Sequence, residues 1–232
     1  LRVQVYEWAQ TVNFQFDKLV IVRLLGLWPA ALYEVANRSI LALRSIPASG
    51  IETFLPTAAI EAAEGGSAGE RLRRMAVLSA YGTLVFIAAP LAIAPVFLYA
   101  WVGEMGYVSR WTFVALGLGV SANLFALPLA TLLQASGRPG LPARAAFVSM
   151  LVNVPLSLAL VRVWGVEGAA LGTALAMVAG FAVLLRGAVV TLGDTVASTL
   201  RHVVERFTPL FATCTVFGVA VHWSFTSWIE AL

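Results

Sequence analysis

Little in this sequence suits an enzyme or a metalloprotein. Cys214 is the only cysteine, so the 232 residues hold neither an internal disulfide framework nor a cluster of thiolate metal ligands. His202 and His222 are isolated, and the sequence has no nucleophile elbow and no glycine-rich phosphate loop. No pair of acidic residues falls in a loop, where a metal-dependent transferase would need one. We therefore expect no catalytic residue, no metal and no cofactor.

Charge is scarce as well. Charged residues make up 12% of the chain, Lys18 is the only lysine, and the net charge of +3 is too small to indicate a nucleic-acid partner. Hydrophobic residues make up 60% and the mean hydropathy is +0.87, against ~45–50% apolar residues in a typical soluble domain. A soluble core of this size does not need so much apolar surface. A bilayer does, because each spanning helix takes ~20 mostly apolar residues.

Seven apolar segments follow one another along the chain. They are 4–25, 29–58, 75–101, 111–135, 143–164, 166–188 and 207–228. The sequence thus predicts an all-α membrane protein with about seven transmembrane helices. The amphipathic stretch 187–206 is predicted to be an interfacial helix or linker on the membrane surface. Because the chain starts at Leu1 without a methionine and shows no signal-peptide pattern, we expect it to be the C-terminal part of a longer protein.

The distribution of arginine and tryptophan predicts the orientation in the membrane. Loops on one side carry Arg71, Arg73, Arg74, Arg138, Arg144, Arg186, Arg201 and Arg206, whereas the opposite side has mainly Arg23, Arg110 and Arg162. The side richer in arginine should be cytoplasmic. Six tryptophans, Trp28, Trp101, Trp111, Trp164, Trp223 and Trp228, fall at the opposite ends, as in an interfacial belt. Leu1 is then cytoplasmic and Leu232 is outside.

Two polar stripes interrupt the apolar pattern of the first two predicted helices. At ~100° per residue, the first stripe falls within about 60° of arc and the second within about 120°. The first consists of Tyr6, Gln10, Asn13 and Asp17, and the second of Glu34, Asn37, Arg38, Arg44, Ser45 and Glu52. A charge inside the membrane costs ~2.5–3.5 kcal/mol, so the four charges of the second stripe would cost on the order of 10 kcal/mol in lipid. The stripes must therefore face protein or water.

Two interpretations of the stripes remain open. In the first, they line a hydrophilic lumen with a cationic floor that binds a phosphate-bearing substrate, since arginine binds phosphate oxygens bidentately and keeps its charge. The substrate-binding residues would be Asn13, Asp17, Glu34, Asn37, Arg38 and Arg44. In the second, ion pairs such as Glu34 with Arg38 only hold helices together. Asp17 could be a counter-ion or a site for a coupling cation, and the sequence does not separate these roles.

Three other features predict helix packing. Pro47 should kink the second helix, because proline removes a backbone donor and clashes one turn back. Gly168 and Gly172 form a small-xxx-small pair that lets a neighbouring helix approach closely, and we expect this contact to be intramolecular. Asn153, close to Pro155, is predicted to be an amide that bonds helices together.

Five stretches together resemble one known family. They are Phe16–Ile21, Tyr33–Arg38 following Gly26, Leu133–Arg138, Asn153–Leu156 and Trp164–Ala170. Their order and spacing are similar to the C-terminal lobe of polysaccharide (O-antigen type) flippases of the multidrug/oligosaccharidyl-lipid/polysaccharide exporter superfamily. The resemblance runs over nearly the whole chain. The chain departs from the family at Ala30–Ala31, where many members have a glycine.

The resemblance implies two six-helix lobes around a central lumen that is opened alternately to either side. The six-helix lobe would comprise 1–188, followed by the amphipathic linker 189–206. The segment 207–232 is then an additional transmembrane helix, which departs from a six-helix lobe. The implied substrate is an undecaprenyl-diphosphate-linked oligosaccharide, moved across the bacterial inner membrane for surface polysaccharide biosynthesis. The implied partners are membrane lipid, the missing N-terminal lobe and a possible coupling cation. Alternatives are a cation-coupled drug exporter, a peptidoglycan-precursor flippase, or a non-transporting membrane subunit of polysaccharide assembly.

Overall fold

The first two helices form an antiparallel pair joined at a single glycine. The computed structural model describes residues 15–54, 56, 57, 60 and 67–230, so the predicted stripe residues Tyr6, Gln10 and Asn13 lie outside the described residues. Helix α1 covers 15–25 of the described chain, and α2 runs over Leu27–Glu52 without interruption at Pro47. Gly26 joins them at φ +95°, a conformation that glycine adopts without strain.

The third predicted segment, 75–101, is longer in the structure and is broken twice. Helix α3 (Ala68–Thr83) begins at an N-cap, where the Ser67 hydroxyl accepts a hydrogen bond from the Glu70 amide. A π-helical turn (Leu84–Ala88) leads into α4 (Ala89–Ala92), and Ile93 then leaves helical geometry before α5 (Ala94–Val102). After the short α6 (Glu104–Val108), α7 (Arg110–Ala135) matches the predicted segment 111–135.

The fifth and sixth predicted segments form a helical hairpin. Helix α8 (Gly140–Leu192) is broken at Trp164 and at Gly165, whose φ is +61°. The two arms pack so closely that a side chain at Gly168 would meet the Leu160 backbone and one at Gly172 would meet Ser157. The prediction that these two glycines serve packing inside the chain is therefore confirmed.

Helix α9 (Asp194–Glu230) joins two segments that the sequence treats separately. One helix covers both most of the predicted linker 189–206 and the predicted helix 207–228, while 189–192 belong to α8. Its first half is covered along one face, since Val203 and Phe207 are buried in a cluster with Ala80 of α3. The boundary expected at 206/207 therefore has no counterpart in the structure.

The described helices form an all-α membrane protein that crosses the bilayer several times. Three helical stretches are long and apolar enough to span a membrane: Gly69–Ala92, Arg110–Ala135 and Gly140–Leu192. The first runs from α3 through the π-helical turn to α4, and the last is the hairpin with two arms. Large apolar side chains within the apolar segments are exposed, as contact with lipid requires, such as Leu151 at 54% and Leu175 at 51%. Helix α2 is less apolar because it carries the charged stripe. The predicted fold class is confirmed.

Candidate functional site: two polar clusters beside α1 and α2

Helices α1 and α2 contact each other through two pairs of neighbouring residues. Asp17 accepts a hydrogen bond from Tyr33, and the next residue of each helix continues the contact as the ion pair of Lys18 with Glu34. Consecutive helical residues point ~100° apart, so the two pairs lie on different sides of the interface. We call the group around Asp17 the buried cluster and the group around Glu34 the exposed cluster.

The exposed cluster consists of Lys18, Glu34 and Arg38. Glu34 Oε1 lies 3.3 Å from Lys18 Nζ and 2.7 Å from Arg38 Nε. The Arg38 side chain is 77% exposed, and among the described residues it donates only to Glu34. Two cations share one carboxylate, so the cluster has a net charge of +1. It can attract an anion while Glu34 holds both cations in place.

Arg44 does not belong to the exposed cluster. It lies six residues beyond Arg38, which turns it ~120° around α2. Its Nε donates to Asn123 Oδ1 of α7 at 2.9 Å, and the contact is partly buried. The expected cationic floor around both arginines is therefore divided: Arg38 is exposed, whereas Arg44 ties α2 to α7. Of the other predicted residues in α2, Asn37 is buried, and Glu52, near the end of the helix, is exposed.

The buried cluster joins α1 and α2 to both arms of the α8 hairpin. Asp17 Oδ2 accepts hydrogen bonds from the Tyr33 hydroxyl at 2.9 Å and from the Thr173 hydroxyl. Asn153 Oδ1 accepts from Ser157 Oγ at 2.8 Å and from Thr173 Oγ1 at 3.3 Å. None of the five side chains is more than 1% exposed. Asp17 thus lies in the interior, not on the open surface expected of a residue that binds substrate.

The chemistry of the buried cluster suits a proton or a small cation. In the part of the chain that the structure describes, Asp17 forms no ion pair and its Oδ1 has no hydrogen-bond donor. A buried carboxylate without a counter-charge must bind a proton or a cation to avoid a large desolvation cost. The surrounding ligands are carboxylate, amide and hydroxyl oxygens, which hard cations prefer. The described residues contain no group of three acidic, histidine or cysteine side chains that could hold a metal ion.

Sequence patterns reveal only part of this cluster. Asp17 is predicted as a functional residue and Asn153 as an amide that bonds helices, and the hairpin contact from Thr173 to Asn153 agrees with the second prediction. Tyr33, Ser157 and Thr173 are not predicted. A usable signal is the spacing of Asn153 and Ser157, since residues at i and i+4 share a helix face. Asn13, the remaining predicted site residue, lies outside the described residues.

These features define a class of protein: a helical, multi-pass membrane protein with a polar face on its first two helices. Among solved structures, the chain is similar to one titled "Lipid II flippase MurJ, inward closed conformation", with a TM-score of 0.66 and 14% sequence identity. The match covers 95% of this chain and 52% of that one, so the chain spans about half the length of this relative. At this identity the likeness establishes the fold. No family model and no curated protein matches the sequence.

Proposed function

We propose that this chain is the C-terminal half of a flippase that moves an undecaprenyl-diphosphate-linked oligosaccharide across the bacterial inner membrane. The oligosaccharide serves surface polysaccharide biosynthesis, and the missing N-terminal lobe completes the lumen. The observation that carries the proposal is the exposed cluster, which presents Arg38 and Lys18 on the face of α1 and α2 in a fold similar to about half of a flippase.

The exposed cluster suits a diphosphate headgroup. An arginine fork can bind phosphate oxygens with two parallel hydrogen bonds, and its charge does not titrate. Arg38 uses Nε for Glu34, and its side chain is exposed enough for the rest of the guanidinium to contact a ligand. The sugar and diphosphate would occupy the polar lumen while the polyprenyl tail remains in the membrane, so the tail need not enter water.

The buried cluster supplies a site for coupling. A carboxylate that binds a cation or proton in one conformation and releases it in another would connect transport to an ion gradient. Asp17 contacts α2 and the second arm of α8 through the hydroxyls of Tyr33 and Thr173. Occupation of the cluster would therefore alter how α1, α2 and the hairpin pack together, which is the kind of movement that alternating access requires.

Peptidoglycan-precursor transport is a second candidate, favoured by the structural likeness to a lipid II flippase. Both candidate substrates are lipid-linked saccharides that carry a diphosphate, so the exposed cluster suits either. A cation-coupled drug exporter fits less well, because a cationic substrate would be repelled by the net positive charge of the exposed cluster.

Complementation separates these candidates. The full-length gene is expressed in a strain deleted for its polysaccharide flippase and, separately, in a strain depleted of its lipid II flippase. Restored surface polysaccharide without restored growth of the depleted strain supports the proposal. The reverse pattern identifies the peptidoglycan precursor as substrate. Failure in both strains at normal membrane abundance contradicts a flippase of either kind.

A further inference from the structure

A long apolar groove lies outside the two polar clusters. It has a volume of about 770 Å³ and is bounded by α3, α4, α5, α7, α8 and α9, with Leu118, Phe125, Phe207 and Phe211 on its walls. Along α9 it extends from Val196 to Gly218. These 22 steps of ~1.5 Å give a length of ~33 Å, close to the ~30 Å of hydrocarbon in a bilayer. The groove therefore has the composition and length of a hydrocarbon-binding surface.

One end of this groove carries a cation. Arg110 is the only charged residue among the described residues that line it. The guanidinium lies 4.1 Å from the centre of the Tyr107 ring and donates through Nη1 to the Tyr107 carbonyl at 2.9 Å. Its Nε is buried and finds no hydrogen-bond acceptor within the described ranges. Arg110 as a whole is half-buried, so the accessible part of its guanidinium can pair with an anionic oxygen in the groove.

The residues around Arg110 fit a membrane interface. Tyr107 and Trp111 lie beside it, and aromatic residues of this kind settle at the level of lipid headgroups. The arginine distribution predicts that this end faces the outside of the membrane. At the other end, the lining residues Leu72, Val196 and Thr199 bring no charge into the groove. The groove thus carries a charge at one end and is apolar over the rest of its length.

We propose that this groove binds an anionic phospholipid of the outer leaflet, with its phosphate on Arg110 and its acyl chains along the half of the groove nearest to Arg110, since one leaflet supplies about half of the ~30 Å of hydrocarbon. Charge complementarity commits the groove to this occupant: a phosphodiester would pair with the half-buried Arg110 guanidinium, the one charge among the described lining residues, and the acyl chains would cover the apolar walls. Neither the exposed nor the buried cluster is involved, so the inference does not depend on the transported substrate. The lipid would fill the part of the space between α9 and the rest of the fold that lies nearest to Arg110.

Cys214 provides a reporter for this site. It lines the groove and is the only cysteine of the chain. The full-length protein is prepared with any cysteine outside these 232 residues replaced by serine, so that Cys214 is the only thiol. It is then placed in nanodiscs of phosphatidylcholine alone or with added phosphatidylglycerol. The rate of Cys214 alkylation by N-ethylmaleimide is then measured. We expect phosphatidylglycerol to slow alkylation several-fold, and an equal amount of inorganic phosphate to leave the rate unchanged.

Two arginine variants make the test specific. Arg110→Gln should abolish the protection by phosphatidylglycerol, whereas Arg162→Gln should keep it. Arg162 is also predicted to be external, is exposed, and does not line the groove. Arg110→Lys, which retains the positive charge, should keep part of the protection. As a second readout that needs no variant, native mass spectrometry of the wild-type protein should detect retained phosphatidylglycerol in preference to phosphatidylcholine.

Four outcomes would overturn the proposal. Phosphatidylglycerol could fail to slow alkylation, or native mass spectrometry could show no preference for it. Equal loss of protection in Arg162→Gln would mean that general surface charge recruits the lipid. Protection by phosphate alone would identify a free anion as the ligand. Cys214 that is unreactive even in phosphatidylcholine would mean that a protein segment or another lipid, such as a polyprenyl phosphate, already fills the groove.

Discussion

At the scale of single residues, neighbours in sequence take different roles at the contact between α1 and α2. Asp17 and Tyr33 are buried, while Lys18 and Glu34 form an ion pair that water reaches. Helical spacing predicts the polar stripes but not this division, because the partners of Asp17 include Thr173, 156 residues away. Which polar residue is buried depends on the hairpin that packs over it, and no local pattern specifies that contact.

Asp17 tests the coupling role of the buried cluster. In Asp17→Asn, a neutral amide oxygen can still accept from Tyr33 and Thr173, so we expect normal membrane abundance but transport reduced to background. In Asp17→Leu, the Tyr33 hydroxyl loses its acceptor, at ~0.6–1.7 kcal/mol for a hydrogen bond in a membrane, whereas Thr173 can still donate to Asn153. This variant should also lower the thermal unfolding temperature of the purified protein. Full transport by Asp17→Asn would show that the charge of Asp17 is not used.

Arg44 should behave as a structural residue. Arg44→Ala removes the hydrogen bond to Asn123 and leaves that amide without this donor. We expect a lower unfolding temperature and reduced membrane abundance, with transport per molecule largely kept. A variant that is as abundant as wild type but inactive in transport would instead place Arg44 in the substrate path. Transport is normalised to the amount of protein measured in isolated membranes.

At the scale of elements, glycines determine how closely the two arms of the α8 hairpin approach. The break is predictable, because hydropathy falls at Trp164–Gly165 and a small-xxx-small pair follows. The ends of α3 and α9 are less predictable. Polar residues at the start of α3 extend that helix beyond its apolar part, and the change from amphipathic to apolar sequence within α9 does not interrupt its backbone hydrogen bonds. Hydropathy therefore locates spans better than it locates helix ends.

Gly172→Ala tests the hairpin contact. The added methyl would lie 2.7 Å from Ser157 Oγ and 2.9 Å from the Ser157 backbone nitrogen, so the arms must separate. Overpacking of this kind costs ~1–3 kcal/mol, and we expect a lower unfolding temperature. Gly50→Ala is the matched control in a helix, since its methyl would meet only Leu78 Cδ2 at 3.9 Å. It should be neutral or gain up to ~1 kcal/mol from helix propensity. Equal effects of the two substitutions would contradict the close packing.

At the scale of the whole molecule, the apolar segments predict the fold class but only part of the candidate site. Segments of spanning length are visible in composition because the bilayer requires them. A substrate is not visible in composition, because specificity depends on the side chains of a site and not on the length of the apolar segments. The similar solved structure is about twice as long, since the match covers 52% of that chain.

The predicted orientation can be tested by labelling in intact cells. In a Cys214→Ser background, Glu104→Cys should react with a membrane-impermeant maleimide added outside, and Ser136→Cys should react only after the membrane is opened. Both positions are exposed, so accessibility of the side chain does not limit the reaction. The opposite pattern would invert the topology derived from the arginine distribution and would place Arg110 on the cytoplasmic side.

The central claim is that the exposed cluster binds an anionic, lipid-linked substrate, and Arg38 tests it most directly. Arg201 is a matched control because it forms a similar i,i+4 pair: its Nε lies 2.7 Å from Glu205 Oε1, the same distance as from Arg38 Nε to Glu34 Oε1. The two side chains are also similarly exposed, at 77% for Arg38 and 80% for Arg201.

Arg38→Ala and Arg201→Ala are introduced into the full-length gene, and surface polysaccharide is measured in the flippase-deleted strain at equal membrane abundance. The account predicts that Arg38→Ala loses polysaccharide and that Arg38→Lys restores part of it, while Arg201→Ala is unaffected. Full activity of Arg38→Ala would contradict the account, because the exposed cluster would then have no role in binding the substrate.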